Sequence, residues 1–121
     1  MSTTAPEIHV MAQGETNTLI VDWGENTSGQ ETGVLKSGDT VTSCVVSVLT
    51  KPTGASEPTL GSVTAPNSTE YINGRACSTG EWTKCNIATA SDQTLGLYVL
   101  KLTATTTNGK VLPRKVQVRV E

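Results

Sequence analysis

The stretch LYVLKLTATTTNGKVLPRKVQVRV, residues 97–120, decides the fold class of this chain. In its first half, every second residue is apolar or aromatic: Tyr98, Leu100, Leu102 and Ala104. In its second half, the same spacing recurs: Val116, Val118 and Val120. Because successive side chains of a strand point to opposite faces, each half predicts a strand with one buried and one solvated face.

Asn108 and Gly109 lie between the two halves. This pair readily adopts the positive φ angles of a two-residue type I′ turn, so we predict a β-hairpin with such a turn. Pro113 has no amide hydrogen to give to a sheet, and we therefore expect its end of the returning strand to be an edge or a bulge.

Shorter runs of β-branched residues, bounded by turn residues, precede the hairpin. They predict strands at 18–23, 40–49, 59–64, 71–72 and 82–90. The second of these is rich in Val, Thr and Ser and is predicted to be central, whereas Gly and Pro interrupt the third, which is typical of an edge strand. No apolar repeat at helical spacing is sustained, so no long helix is expected.

Together these signals predict one all-β domain over residues 18–121, an immunoglobulin-like antiparallel sandwich of two sheets with about six to eight strands. Tyr98 follows Gly96 at the start of the penultimate strand, which is typical of the tyrosine corner of such domains; the alternative is that Tyr98 is only a core aromatic. Residues 1–17 are predicted to form an N-terminal arm, either disordered or ordered by a partner.

The composition excludes several classes of function. A net charge of −2, with only two Trp and two Tyr, leaves neither a basic track for a phosphate backbone nor aromatics to stack on bases, so we expect no nucleic-acid partner. No run approaches the roughly 20 apolar residues that span a bilayer, so no membrane partner is expected. The first residues do not resemble a secretory signal peptide, which favours synthesis and retention in the cytosol.

The sequence contains few of the side chains and motifs that catalysis commonly requires. The one histidine, His9, lies in the predicted arm, so a Ser-His-Asp or Cys-His arrangement is not expected. No Gly-rich phosphate-binding motif leads from a strand into a helix. We therefore expect no enzyme and no cofactor.

The three cysteines are Cys44, Cys77 and Cys85. With His9 they match a tetrahedral zinc site in number, but their spacing lacks the close pairs that zinc ligands form, so no metal is expected. Cys77 and Cys85 either close a loop as a disulfide or stay reduced. Cys44, next to Val45 and Val46, is expected to act as a small buried hydrophobe.

The candidate partner-binding residues are Ile8, Val10 and Met11 in the arm, together with Trp82. The three arm residues are apolar without an evident core to join. Trp82 follows Gly80 and is either a core residue or an exposed anchor for a protein or a sugar ring, whereas Trp23 continues a strand alternation and is favoured as core. An alternative function is thus a carbohydrate-binding or host-adhesion module.

Four groups of residues, taken in order, resemble the immunoglobulin-like virion proteins of tailed bacteriophages known as fibre-to-tail adaptors. They are Val21-Asp22-Trp23, the segment 35–41, Gly96-Leu97-Tyr98, and the segment 105–110 before a basic, Val-rich last strand. The chain departs from that family at Gly24-Glu25-Asn26, where a Trp-Leu pair is usual, and in the Cys77 to Cys85 region, which resembles an insertion.

The resemblance implies a structural protein of the virion, assembled in the cytoplasm of the bacterial host, that joins or decorates other phage virion proteins of the capsid, neck or tail. It also implies a homo-oligomer or several copies in the assembly.

Overall fold

The computed structural model describes residues 4–24, 35, 38–72 and 74–121, with the side chains of residues 4–7 and 75 outside that description. This part of the chain is all-β, as predicted, and contains no helix. Its nine strands are β1 (Thr4–Met11), β2 (Thr16–Asp22), β3 (Val41–Thr50), β4 (Thr59–Leu60), β5 (Glu70–Ile72), β6 (Arg75–Cys77), β7 (Trp82–Ala88), β8 (Gly96–Thr106) and β9 (Val111–Val120).

The strands form a four-stranded sheet in the order β1-β9-β8-β3, a three-stranded sheet in the order β2-β7-β4, and the small hairpin β5-β6. All neighbours are antiparallel except β1 and β9, which run parallel. Both larger sheets contribute buried apolar side chains to one core cluster. This arrangement is consistent with a β-sandwich, because apolar faces of two sheets are buried against each other.

The alternation predicted for residues 97–120 is confirmed. Every second residue of β8 from Tyr98 onward is buried, and so are Val116, Val118 and Val120 of β9. The strands predicted at 18–23, 40–49, 59–64, 71–72 and 82–90 all coincide with observed strands. β1 and β6 were not predicted.

Two details of the strand arrangement differ from the sequence prediction. β3 was expected to be central, but it lies at the edge of the four-stranded sheet. The connection between β8 and β9 spans residues 107–110, and three of these residues, 107–109, lie between Thr106 and Lys110, since the amide of Thr106 donates to the carbonyl of Lys110. The carbonyl of Thr106 accepts from the amide of Gly109, and Gly109 has a positive φ of 78°, as in a type I turn followed by a bulge.

The prediction of an unpacked arm over residues 1–17 is wrong for β1. This strand pairs in parallel with β9, matching Ile8 with Gln117 and Met11 with Val120. Met11 is 1% exposed and belongs to the core. The described pairing of β1 with β9 begins at Lys115 and therefore does not include Pro113. The missing amide hydrogen of Pro113 thus disrupts no described pairing with β1.

Tyr98 makes the hydrogen bond expected of a tyrosine corner. Its buried hydroxyl donates to the carbonyl of Thr94, at 2.6 Å, and accepts from the side-chain amide of Gln93, at 3.0 Å. The same Gln93 amide also donates to the carbonyl of Ser56, at 2.7 Å. Tyr98 therefore connects the start of β8 to two neighbouring loops.

A second buried cluster joins the two larger sheets around Trp23, which is in the core as predicted. Its indole Nε1 donates to the hydroxyl of Thr83 on β7, at 2.9 Å. The guanidinium of Arg114 on β9 lies 5.1 Å from the centre of the Trp23 ring and donates to the carbonyl of Asp22, at 2.9 Å. A buried cation over an indole face, with a backbone acceptor, is a favourable placement for arginine.

Asp39 ties the entry of β3 to the β8–β9 turn. Its carboxylate accepts hydrogen bonds from the backbone amides of Thr40, at 2.9 Å, and Asn108, at 3.1 Å. A hydrogen bond from the Thr106 side chain, these two amides and the positive charge of Lys110 lower the pKa of Asp39 below 3.8, against the opposing effect of burial.

Replacing Tyr98 with Phe should lower the free energy of unfolding by about 1–3 kcal/mol, because the buried side-chain amide of Gln93 loses an acceptor and the carbonyl of Thr94 loses its donor. Urea unfolding followed by fluorescence measures this loss. Tyr71→Phe, at an exposed position, is the matched control and should change stability by less than about 0.5 kcal/mol. Equal effects of the two substitutions would contradict the structural role given to the Tyr98 hydroxyl.

The lowered pKa of Asp39 predicts a specific dependence of stability on pH. The ionised carboxylate stabilises the fold above its unfolded-state pKa, and this contribution is lost as pH falls through the lower pKa of the folded state. Asp39→Asn should therefore be less stable than the parent protein at pH 7 but should lose less stability between about pH 5 and pH 2. Thermal unfolding across this range tests it, with the exposed Asp92→Asn as the control for loss of one charge.

Candidate contact surface

The four residues predicted to bind a partner occupy two different environments. Ile8 and Val10 are 38% and 50% exposed, whereas Met11 and Trp82 are 1% and 3% exposed. The prediction is thus corrected for Met11 and Trp82, whose side chains lie in the interior. Ile8 and Val10 stay available for contact because they alternate with His9 and Met11 along β1.

Trp82 begins β7 and is fixed from inside the protein. Its indole Nε1 donates to the carbonyl of Ser68, at 2.9 Å. A sugar-stacking platform would need a second exposed aromatic, such as Tyr71, together with Trp82; Tyr71 is strongly exposed but Trp82 is buried. The structure therefore gives the carbohydrate-binding alternative no stacking platform built from these two residues.

The register of β1, β9 and β8 extends the apolar surface of Ile8 and Val10 across three strands. Val10 pairs with Arg119, which pairs on its other side with the exposed Leu97. In the neighbouring row on the same face of the sheet, Ile8 pairs with Gln117, and Gln117 pairs on its other side with the half-buried Val99. Since directly paired residues share a face, these side chains form one surface. We call it the outer patch: Ile8, Val10, Leu97, Val99, Gln117 and Arg119.

The same face of the sheet carries an excess of positive charge. Lys101 and Lys115 are exposed and pair directly opposite each other, and Arg119 lies on the same side of β9. β3, β8 and β9 contain no Asp or Glu. Like charges directly opposite each other destabilise a sheet, so this pair contributes nothing to the fold and is suited to a partner that carries negative charge.

The sequence alone did not indicate Leu97, Val99 and Arg119 as candidate contact residues. The signal was present in the alternation of β8, since Leu97 and Val99 fall on the solvated face together with Lys101. An apolar residue at a predicted solvent position is informative when several occur together, because scattered ones are normal. What the sequence alone did not show is that β1 lies beside β9.

The three cysteines are thiols in this structure. Cys77 and Cys85 are buried, and the disulfide considered for this pair is not formed. Cys44 is half-buried. Burial, with a smaller contribution from the nearby Cys85, raises the pKa of the Cys44 thiol to about 11. Burial also raises the pKa of Cys85.

His9 and the carboxylates do not assemble into a site. His9 faces inward on β1, opposite Val118 of β9. Within the described ranges, no group of three or more His, Cys, Asp or Glu side chains is placed to hold a metal ion. No helix long and apolar enough to span a membrane occurs in the same residues.

Comparisons with known proteins add no relative. No protein-family model matches the sequence, and no curated protein matches it.

The raised pKa of Cys44 predicts slow alkylation of the folded protein. At pH 8 its thiolate fraction is small, so reaction with iodoacetamide should be at least about tenfold slower than for the same cysteine in guanidinium chloride. Cys77 and Cys85, being more buried, should react more slowly still. Peptide mass spectrometry over time measures all three rates in one sample. Fast labelling of Cys44 in the native state would contradict its described environment.

Proposed function

We propose that this chain is a non-enzymatic structural protein of a tailed-phage virion, which joins or decorates other virion proteins and contacts them through the outer patch. The observation that carries the proposal is the combination of exposed apolar side chains with Lys101, Lys115 and Arg119 on one face of the four-stranded sheet. Such a face suits a protein surface with apolar and acidic residues.

The strand order supports the immunoglobulin-like part of this proposal. Immunoglobulin sandwiches place strands A, B, E and D in one sheet and C, F and G in the other. When β2, β3, β4, β7, β8 and β9 are taken as B, C, D, E, F and G, the order β2-β7-β4 corresponds to B-E-D and β3-β8-β9 to C-F-G.

The tyrosine corner supports the same assignment. It lies at the start of strand F in these domains, and Tyr98 lies near the start of β8. In antibody domains a disulfide cysteine follows two residues later, and here the buried Leu100 occupies that position. Apolar packing at this point therefore takes the place of an inter-sheet disulfide, as suits a protein made in a reducing cytoplasm.

A rigid scaffold with a contact face is what a multicopy virion component requires. The Tyr98 and Trp23 clusters fix the loops and the two larger sheets from inside, so the outer patch is presented on regular strands. Contact surfaces on strands are held more rigidly than those on loops. We expect the partner to be a capsid, neck or tail protein and the chain to occur in several copies.

The test uses a phage whose genome encodes this chain. Purified particles should contain the protein, and cryo-electron microscopy should show its domain either repeated on the capsid lattice or as a ring at the neck or tail. Val10→Asp should reduce the copies per particle by about tenfold or more, because it places a charge in the outer patch.

Val111→Asp is the matched control for this experiment. Val111 is also exposed on β9, but it lies eight positions from Arg119, about 26 Å along the strand, and so outside the outer patch. Its variant should be incorporated like the parent protein. Absence of the parent protein from particles, or equal incorporation of both variants, would contradict the proposal.

A further inference from the structure

β3 is a long edge strand without the charged residues or Pro that commonly protect an edge. In the described part of the chain, β8 is its single strand neighbour. Its sequence, VTSCVVSVLT, contains no charged residue and no Pro. Natural proteins blunt exposed edges with such residues, because an unpaired row of amides and carbonyls is a template for another strand. Two register shifts bound a regular segment of β3 from Ser43 to Val48.

The core is also open along this edge. Cys44, Val46 and Val48 face the interior, yet each is only half-buried. Their cross-strand neighbours on β8 are fully buried: Ala104, Leu102 and Leu100. An open groove of about 300 Å³ lies here, with Cys44 and Val46 on one side and Leu60 and Val63 on the other. Apolar side chains at this groove gain burial when a strand is added at the edge.

We propose that a second copy of this chain pairs with β3 through its own β3, antiparallel and across a twofold axis, which joins two four-stranded sheets into one continuous sheet. This proposal goes beyond the proposed virion role and does not depend on it. Strand addition supplies backbone hydrogen bonds along Ser43 to Val48, and the complementarity of the paired side chains determines which strand binds.

The sequence of β3 is what identifies a second copy as the occupant. In an antiparallel register centred on Val45, Val45 faces its own copy, Ser43 faces Ser47, and Cys44 faces Val46. Each pair joins residues of the same face, and Val45 is 68% exposed before pairing. Two molecules with a net charge of −2 meet here without repulsion at the contact, because neither strand carries a charge.

The interior side of the groove fits this occupant too. Residues that pair directly share a face, so the second copy's Cys44 and Val46 lie on the side of the sheet where the groove opens. Leu60 and Val63 are the apolar residues of the facing wall, which also contains Gly61 and Ser62, and they lie where these side chains would add apolar contact. A charged strand from another protein gains no complementary partner on β3.

Sedimentation equilibrium of the purified protein tests the proposal. The parent chain should approach twice its monomer mass of 12.7 kDa as concentration rises into the millimolar range. Val45→Lys should remain monomeric at the same concentrations, since it places two ammonium groups opposite each other at the twofold axis. Val111→Lys, the same substitution at a position 62% exposed on β9, should still associate like the parent chain.

Hydrogen exchange locates the contact independently of any substitution. Amide exchange between Ser43 and Val48 should slow at high protein concentration relative to low, while exchange in β1 should not change. Thermal unfolding of both Lys variants confirms that they are folded. A parent chain that stays monomeric, a Val45→Lys variant that still associates, or concentration-dependent protection confined to other strands would each overturn the proposal.

Discussion

The two-residue period of β8 and β9 is the constraint on which the rest of the structure depends. It sends one set of side chains, including Tyr98 and Leu100, into the core and leaves the other set on the opposite face of the sheet. Because the period is fixed, the second set of side chains faces away from the core, and core packing does not restrict which residue types occur there. The apolar and basic character of that face is therefore a property of sequence choice, since the fold itself would accept Thr or Ser there.

Side-chain contacts in the interior hold the two larger sheets in one relative position. Apolar packing alone is non-directional, whereas the Trp23 indole and the Arg114 guanidinium have directional partners. Arg114 comes from β9 and Thr83 from β7, so the contacts of Trp23 reach both larger sheets. The Tyr98 hydroxyl makes a directional contact of the same kind with a loop, at the carbonyl of Thr94. These polar contacts define the sandwich more narrowly than its Val and Leu residues do.

The sequence predicted what is local and missed what is remote. Alternation within β8 and β9, and the interior position of Trp23, follow from neighbouring residues and were predicted. The parallel pairing of β1 with β9 joins segments about 110 residues apart and has no local signature, so β1 was assigned to an arm. β3 looked central because it is rich in Val, Thr and Ser, yet it lies at the edge of its sheet, where its lack of charged residues leaves it open to another strand.

The candidate contact residues divide in the same way. Ile8 and Val10 were found because apolar residues in a polar segment are conspicuous. Trp82 was left open between a core residue and an exposed anchor because Gly80 and Glu81 precede it, and the structure places it in the interior at the start of the central strand of the three-stranded sheet. Leu97 became a candidate contact residue only when the register placed it in one row with Arg119 and Val10.

The position of β9 between β1 and β8 also governs when this domain can form during synthesis. β9 is the last strand of its sheet to leave the ribosome, yet β1, the first, has no described pairing partner other than β9. Until β9 emerges, Met11 and the edge of β8 lack their partners. The nascent chain therefore keeps β1 without its described partner through most of translation, and the four-stranded sheet is completed only once β9 has been synthesised.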